Sequence, residues 1–183
     1  IKNYIADGTA VTYSHVVTAG LDTATLAITT DGAHLFVADN DHIYSGEIAV
    51  PASGYSEYYA TGSEKVVMAW VKQRLVAGIG TSIYELTGAL GTTTLPTAIY
   101  THPNTGWTWT SISEGGSAIY AAGYAGGNSA IYKFVLSTAG VMPTLTSGIV
   151  AAQLPIGEIV YKIESYLGYL MIGTNKGVRV AVV

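Results

Sequence analysis

Apolar residues fall in short runs rich in Val, Ile, Tyr and Ala, separated by Gly, Asn-Asp and Pro. No stretch of a dozen residues carries apolar positions at i, i+3, i+4 and i+7 with polar residues between them. That pattern predicts strands and turns throughout and no helix. One unit recurs five times: an apolar run closing on Ala-Asp, Gly or a near equivalent, then a polar turn, then a second apolar strand. The copies are Tyr4-Ile5-Ala6-Asp7 with Ala10-Val11-Thr12, Leu35-Phe36-Val37-Ala38-Asp39 with His42-Ile43-Tyr44, and Leu75-Val76-Ala77-Gly78 with Ser82-Ile83-Tyr84. Ile119-Tyr120-Ala121-Ala122-Gly123 with Ala130-Ile131-Tyr132 follows, then Leu170-Met171-Ile172-Gly173 with Gly177-Val178-Arg179.

A period of roughly 40–45 residues made of short strands predicts a β-propeller of four-stranded antiparallel blades. Upstream strands can be assigned to four copies, among them His15-Val16-Val17, Glu57-Tyr58-Tyr59-Ala60, Thr97-Ala98-Ile99-Tyr100 and Gly148-Ile149-Val150-Ala151. The expected organisation is one propeller region over 1–183. It comprises an N-terminal hairpin at 3–13 and blades at about 14–49, 50–88, 97–138 and 145–183, with linkers carrying Pro51, Pro96, Pro143 and Pro155 absorbing the drift in repeat spacing. The hairpin lacks two strands of its own blade, which would leave an open edge. The chain therefore reads as a section of a larger propeller; a four-bladed ring with an additional hairpin is the alternative. The opening Ile1-Lys2-Asn3-Tyr4 is neither a signal peptide nor an ordinary translation start, and it adds the expectation of a longer parent.

Composition changes this picture only by exclusion. Hydrophobic residues make up 49% and charged residues only 11%, which excludes a disordered chain. No apolar run is long enough for a membrane helix. Eight Lys and Arg against twelve Asp and Glu, with the bases scattered, argue against a nucleic-acid partner. Zero cysteines remove disulfides and thiolate chemistry together.

Candidate chemistry is sparse. Asp39, Asp41 and Glu47 suggest calcium ligands, but counting from Asp39 the position of the bidentate glutamate falls on Val50. Asn40-Asp41 is also what a hairpin turn requires, so a turn is expected there. His15, His34, His42 and His102 show no metal-binding spacing, although His34 and His42 are expected to approach across a hairpin. No G-x-S-x-G, Walker A or G-x-G-x-x-G sequence is present. No catalytic residue, cofactor or metal is assigned. The segment His102-Pro103-Asn104-Thr105-Gly106-Trp107-Thr108-Trp109 resembles the Asp-box turn of sialidase-type propellers at its Gly, Thr and Trp positions. An Asp-box braces a blade without doing chemistry, and two arginines, Arg74 and Arg179, fall short of a sialidase's cluster. Trp107, Trp109, Tyr55, Tyr58, Tyr59 and Tyr124 lie near expected turns and are candidate contacts for a glycan or a partner protein. For Trp107 and Trp109, which alternation places on one face, a core pair outweighs an exposed glycan platform. Tyr44, Tyr84, Tyr120 and Tyr132 occupy repeat positions and are expected between blades.

Residues 102–140, with the phrase Ala130-Ile131-Tyr132-Lys133-Phe134, and residues 141–180, with Gly173-Thr174-Asn175-Lys176-Gly177-Val178-Arg179, resemble the propeller segment of minor tail proteins from long-tailed (siphovirus-like) actinobacterial bacteriophages. The resemblance implies a non-enzymatic structural component of the virion, located in the distal tail and present in several copies. It implies contact with other phage tail proteins and with a host cell-surface glycan, and carries no catalytic residues. Two other functions compete with it: a carbohydrate-binding, lectin-like propeller, and a propeller glycosidase. The last requires carboxylates converging on the central channel; a channel lined only by Gly, Ala, Val and Thr would exclude it.

Overall fold

The computed structural model describes residues 2–6, 11–15, 25–49, 55–62, 65–87 and 94–183, with only the backbone described for the first two stretches. All regular structure among them is β. A two-stranded hairpin pairs β1 (Lys2–Ala6) with β2 (Val11–His15). The first large sheet contains β3 (Ala27–Thr30), β4 (His34–Ala38), β5 (His42–Glu47) and β6 (Ser56–Ala60). The second contains β7 (Val66–Val71), β8 (Arg74–Ile79), β9 (Ser82–Leu86) and β10 (Tyr100–Thr101). The third contains β11 (Thr108–Gly115), β12 (Ala118–Ala125), β13 (Asn128–Val135) and β14 (Val150–Gln153), and the fourth contains β15 (Val160–Tyr166), β16 (Tyr169–Thr174) and β17 (Gly177–Val182). Every pairing is antiparallel between chain neighbours.

The recurring unit is the hairpin of second and third strands, as in β4–β5 and β12–β13. The all-β architecture and the hairpin at 3–13 are as expected from the sequence. The expected blade boundaries are shifted by one strand. Tyr58 and Tyr59 lie on β6, which closes the first sheet against β5, and Val150 lies on β14, which closes the third against β13. His15 belongs to β2 rather than opening the next unit. Long linkers such as those holding Pro96 and Pro143 therefore join third to fourth strands inside a sheet. Passage between the four larger sheets falls at 61–65, 102–107 and 154–159. Crossing three inter-strand gaps means covering about 14 Å, and five or six extended residues are enough for that.

Successive sheets meet through their first strands, β3 against β7, β7 against β11 and β11 against β15. Three core clusters fill the spaces between them. Phe36, Tyr58, Met68 and Leu75 lie between the first and second sheets. Tyr100, Trp109, Ile119 and Phe134 lie between the second and third, and Ala122, Ile131, Ile163 and Leu170 between the third and fourth. Alternation along β12 sends Ile119 and Ala121 into one cluster and Ala118, Tyr120 and Ala122 into the next. A strand covered on both faces reads as an unbroken apolar run, which accounts for the AIYAAG sequence.

Candidate functional site

The first strands line the axis of the fan, and each junction between them is fastened by a side chain reaching a main-chain group. Thr29 Oγ1 accepts the Trp70 amide at 3.0 Å, and Glu114 Oε2 accepts the Lys72 amide. Ser113 Oγ accepts the Ser165 amide at 3.1 Å, while Ser111 Oγ donates to the Ile163 carbonyl at 3.2 Å. These bonds occupy strand groups that face another sheet, where an unpaired amide would be costly. Above them lies a cleft of about 400 Å³ bordered by Thr29, Trp70, Glu114, Lys162 and Glu164. Its charges come as neighbours of opposite sign: Lys72 Nζ lies 3.9 Å from Glu114 and Lys162 Nζ lies 3.5 Å from Glu164. The axis therefore carries carboxylates as well as small and apolar residues.

A bulge at Trp109/Ser111 in β11 recurs at Val160/Lys162 in β15. Such an extra residue re-aims the side chains that follow it. Glu114, Lys162 and Glu164 carry no motif that singles them out in the sequence. Their common place on first strands was hidden by the one-strand shift.

A second, smaller cleft of about 200 Å³ lies at the rim of the third sheet, bordered by His102, Asn104, Trp107, Tyr132 and Gln153. The Asp-box-like segment forms a turn: Asn104 Oδ1 accepts the Gly106 amide at 2.9 Å and the Asn104 carbonyl accepts the Trp107 amide at 3.0 Å. His102 stacks on Trp107 with centroids 4.0 Å apart, and its Nε2 lies 2.9 Å from the Tyr132 hydroxyl. Burial holds the imidazole below its ordinary value, and Nδ1 accepts the Asn104 amide at 3.1 Å. Burial, with Tyr100 adding to it, pushes the Tyr132 phenol up to about 12. Both rings are thus neutral hydrogen-bonding groups at neutral pH.

Most candidate contact residues belong to the core. Trp107 and Trp109 are each only 5% exposed and meet edge-on at 5.5 Å. Tyr58 and Tyr59 are buried between the first two sheets, with burial, and then Tyr59, raising the Tyr58 phenol. None of these four offers a face to a glycan, because the neighbouring sheet already occupies it. Tyr124 is half-buried at the end of β12. Tyr120 and Tyr132 are packed between sheets as expected, Tyr84 is partly buried between the first and second sheets, and Tyr44 is buried on β5 without joining an inter-sheet cluster.

The Asp39 turn is also as expected: Asp39 Oδ1 accepts the Asp41 amide at 3.2 Å and the His42 amide at 2.9 Å. His34 and His42 do not approach each other, since β4–β5 register sets His34 opposite Glu47 at the other end. Only Asp39, Asp41 and His42 gather three metal-competent side chains among the described residues. No helix among them is long and apolar enough to cross a membrane.

No family model and no curated protein matches the chain. Solved structures do. The computationally designed Ika4 protein superposes with a TM-score of 0.62 at 13% identity, over 93% of this chain and 98% of its own. The H270A virginiamycin B lyase of Staphylococcus aureus, solved with quinupristin, gives a TM-score of 0.62 at 13% identity over 98% of this chain. The extracellular domain of the one-component system BT4673 of B. thetaiotaomicron gives 0.53 at 11% over 92%. The fold is a β-propeller. Each sheet is a blade, and the chain spans 58% of the lyase and 28% of the BT4673 domain. At such identities the likeness carries the fold alone.

Proposed function

We propose that this propeller is a non-catalytic, rigid platform within a larger particle, the distal tail of a long-tailed phage of actinobacteria. There it contacts other tail proteins and, through them or directly, a glycan of the host surface. The observation that carries the reading is the outer face of the fourth blade. Val178, Val180 and Val182 on β17, Met171 on β16 and Tyr161 on β15 remain exposed, Val178 by 70%. An exposed sheet face with this many apolar residues fits packing against a further blade or another protein of the particle. The resemblance of residues 102–180 to tail-protein propellers supplies the particle.

Immunogold labelling of purified particles of the phage that encodes the chain tests the proposal. Label concentrated at the tail tip is the expected result; label on the capsid, or particles that lack the chain, overturns it.

A propeller glycosidase is favoured by one observation, the placement of Glu114 and Glu164 at the axial cleft. Against it, each carboxylate has a lysine beside it, whereas a general acid needs a carboxyl kept protonated. Release of reducing sugar from host cell-wall glycan, lost in Glu114→Gln or Glu164→Gln, would replace the platform reading with this one.

A further inference from the structure

Directly after β4, facing His42 across the β4–β5 turn, the first blade carries Asp39. This carboxylate is 0% exposed. Its Oδ1 holds the turn, but its Oδ2 is buried with no hydrogen-bond partner. A buried carboxylate oxygen left unpaired is strongly unfavourable unless a positive group arrives.

The same corner supplies further donors. The ligand atoms of Asp39, Asp41 and His42 all lie within 4.8 Å of one another. His42 Nδ1 lies 2.8 Å from Asp41 Oδ1, so one proton occupies the space between them. On the far side of the imidazole, Nε2 faces Glu57 Oε1 at 3.6 Å. Thr61, whose amide donates to the Asp41 carbonyl at 2.6 Å, has its own Oγ1 buried without a partner. A carboxylate behind the imidazole, on the ring nitrogen away from the ligand cluster, is how metal-binding histidines are commonly oriented.

We propose that Asp39, Asp41 and His42 bind a first-row divalent cation of the zinc type, with Glu57 orienting the imidazole from behind. The cation displaces the proton between His42 Nδ1 and Asp41 and supplies the missing partner of Asp39 Oδ2. Ligand atoms about 2.1 Å from a tetrahedral ion lie about 3.4 Å apart, a spacing the half-exposed Asp41 side chain reaches by rotating. The imidazole excludes a calcium preference, since calcium takes oxygen ligands. The bound ion would tie the β4–β5 turn to β6 through Glu57, at the rim of the first blade.

The test is calorimetric titration of the tag-free chain with zinc, paralleled by the visible absorption of added cobalt. One equivalent is expected to bind, with a tetrahedral cobalt spectrum, and excess calcium should not compete. Asp39→Asn keeps an oxygen to accept the Asp41 and His42 amides, so the turn survives while the carboxylate is lost. That variant and His42→Ala should each weaken zinc binding by about 100-fold or more, and Glu57→Gln by about 10- to 100-fold. No saturable binding up to about 1 mM zinc overturns the proposal. So does binding whose affinity is unchanged in the variants, which would place the metal on other histidines. Should Asp39→Asn fail to fold, His42→Ala, at a half-exposed position, decides alone.

Discussion

The third and fourth blades are built from the same repeat and similar residues, yet they are covered differently. In the third, β12 is buried along nearly its whole length, because the second blade lies on one side and the fourth on the other. In the fourth, β16 alternates: Leu170 and Ile172 are buried, while Tyr169 and Met171 face outward. The blades differ at their closing glycine as well. A Cβ at Gly123 would lie 2.5 Å from Trp107 Nε1 and 2.6 Å from the Thr108 carbonyl oxygen. One at Gly173 would meet nothing nearer than the Lys162 carbonyl at 3.6 Å. The repeat alone thus does not fix how tightly a blade packs; the bulk of the neighbouring residues does. Trp107 and Trp109 make the third blade's inner side the most crowded of the aromatic contacts, and the fourth has no equivalent.

The largest expected effect that probes this contrast is Gly123→Ala. Neither a main-chain oxygen nor a packed indole can give way by half an ångström, so a loss of about 3 kcal/mol is expected, at the upper end for overpacking. Chemical denaturation with unchanged m-value is the measurement, and a cost near zero would mean that Trp107 repacks freely.

Next comes the pH dependence of the same interface. Burial lowers the His102 value in the folded chain, so the unfolded chain takes up the proton first as pH falls. The histidine's contribution is complete above about pH 6.5 and is lost as pH drops through the lower folded value. The thermal midpoint should therefore fall between neutral and mildly acidic pH, with a shallower slope in His102→Gln; parallel slopes would assign the acid loss to other groups. Glu158 loses stability in the same direction at lower pH, since the hydrogen bonds from Arg179 at 2.7 and 2.6 Å hold its carboxyl below the usual range.

The smallest expected effect is Gly173→Ala, within about 0.5 kcal/mol of zero. A large cost there would show that something covers the fourth blade in solution.

Much of the fold was legible because strand period, turn residues and repeat length all pointed the same way. The hairpins at Asp39, Gly78, Gly123 and Gly173 stood out for that reason, and so did the burial of Tyr120 and Tyr132. Blade phase was not legible: Pro96 and Pro143 mark the longest breaks in pattern, yet those breaks lie inside blades. Local sequence records where a strand stops, not which edge the next one joins. Trp107 and Trp109 are the core pair that alternation favoured, whereas the exposure expected of Tyr58 and Tyr59 was misread for a related reason. Their positions near turns are local, whereas their burial comes from a sheet some forty residues away in the repeat. The partnerless oxygen on Asp39 had no sequence signal, because Asn40-Asp41 accounts for the turn and burial of the carboxylate is a tertiary property.

The position of the short crossings has a practical consequence for anyone dissecting the chain. A protein divided at its most evident linkers, around Pro96 or Pro143, would give pieces in which β9 or β13 is stripped of its outer strand and left ready to pair with whatever it meets. Division within 61–65, 102–107 or 154–159 keeps each blade's hydrogen-bonded set intact, so those segments are the natural seams for truncation, blade exchange or insertion of a tag.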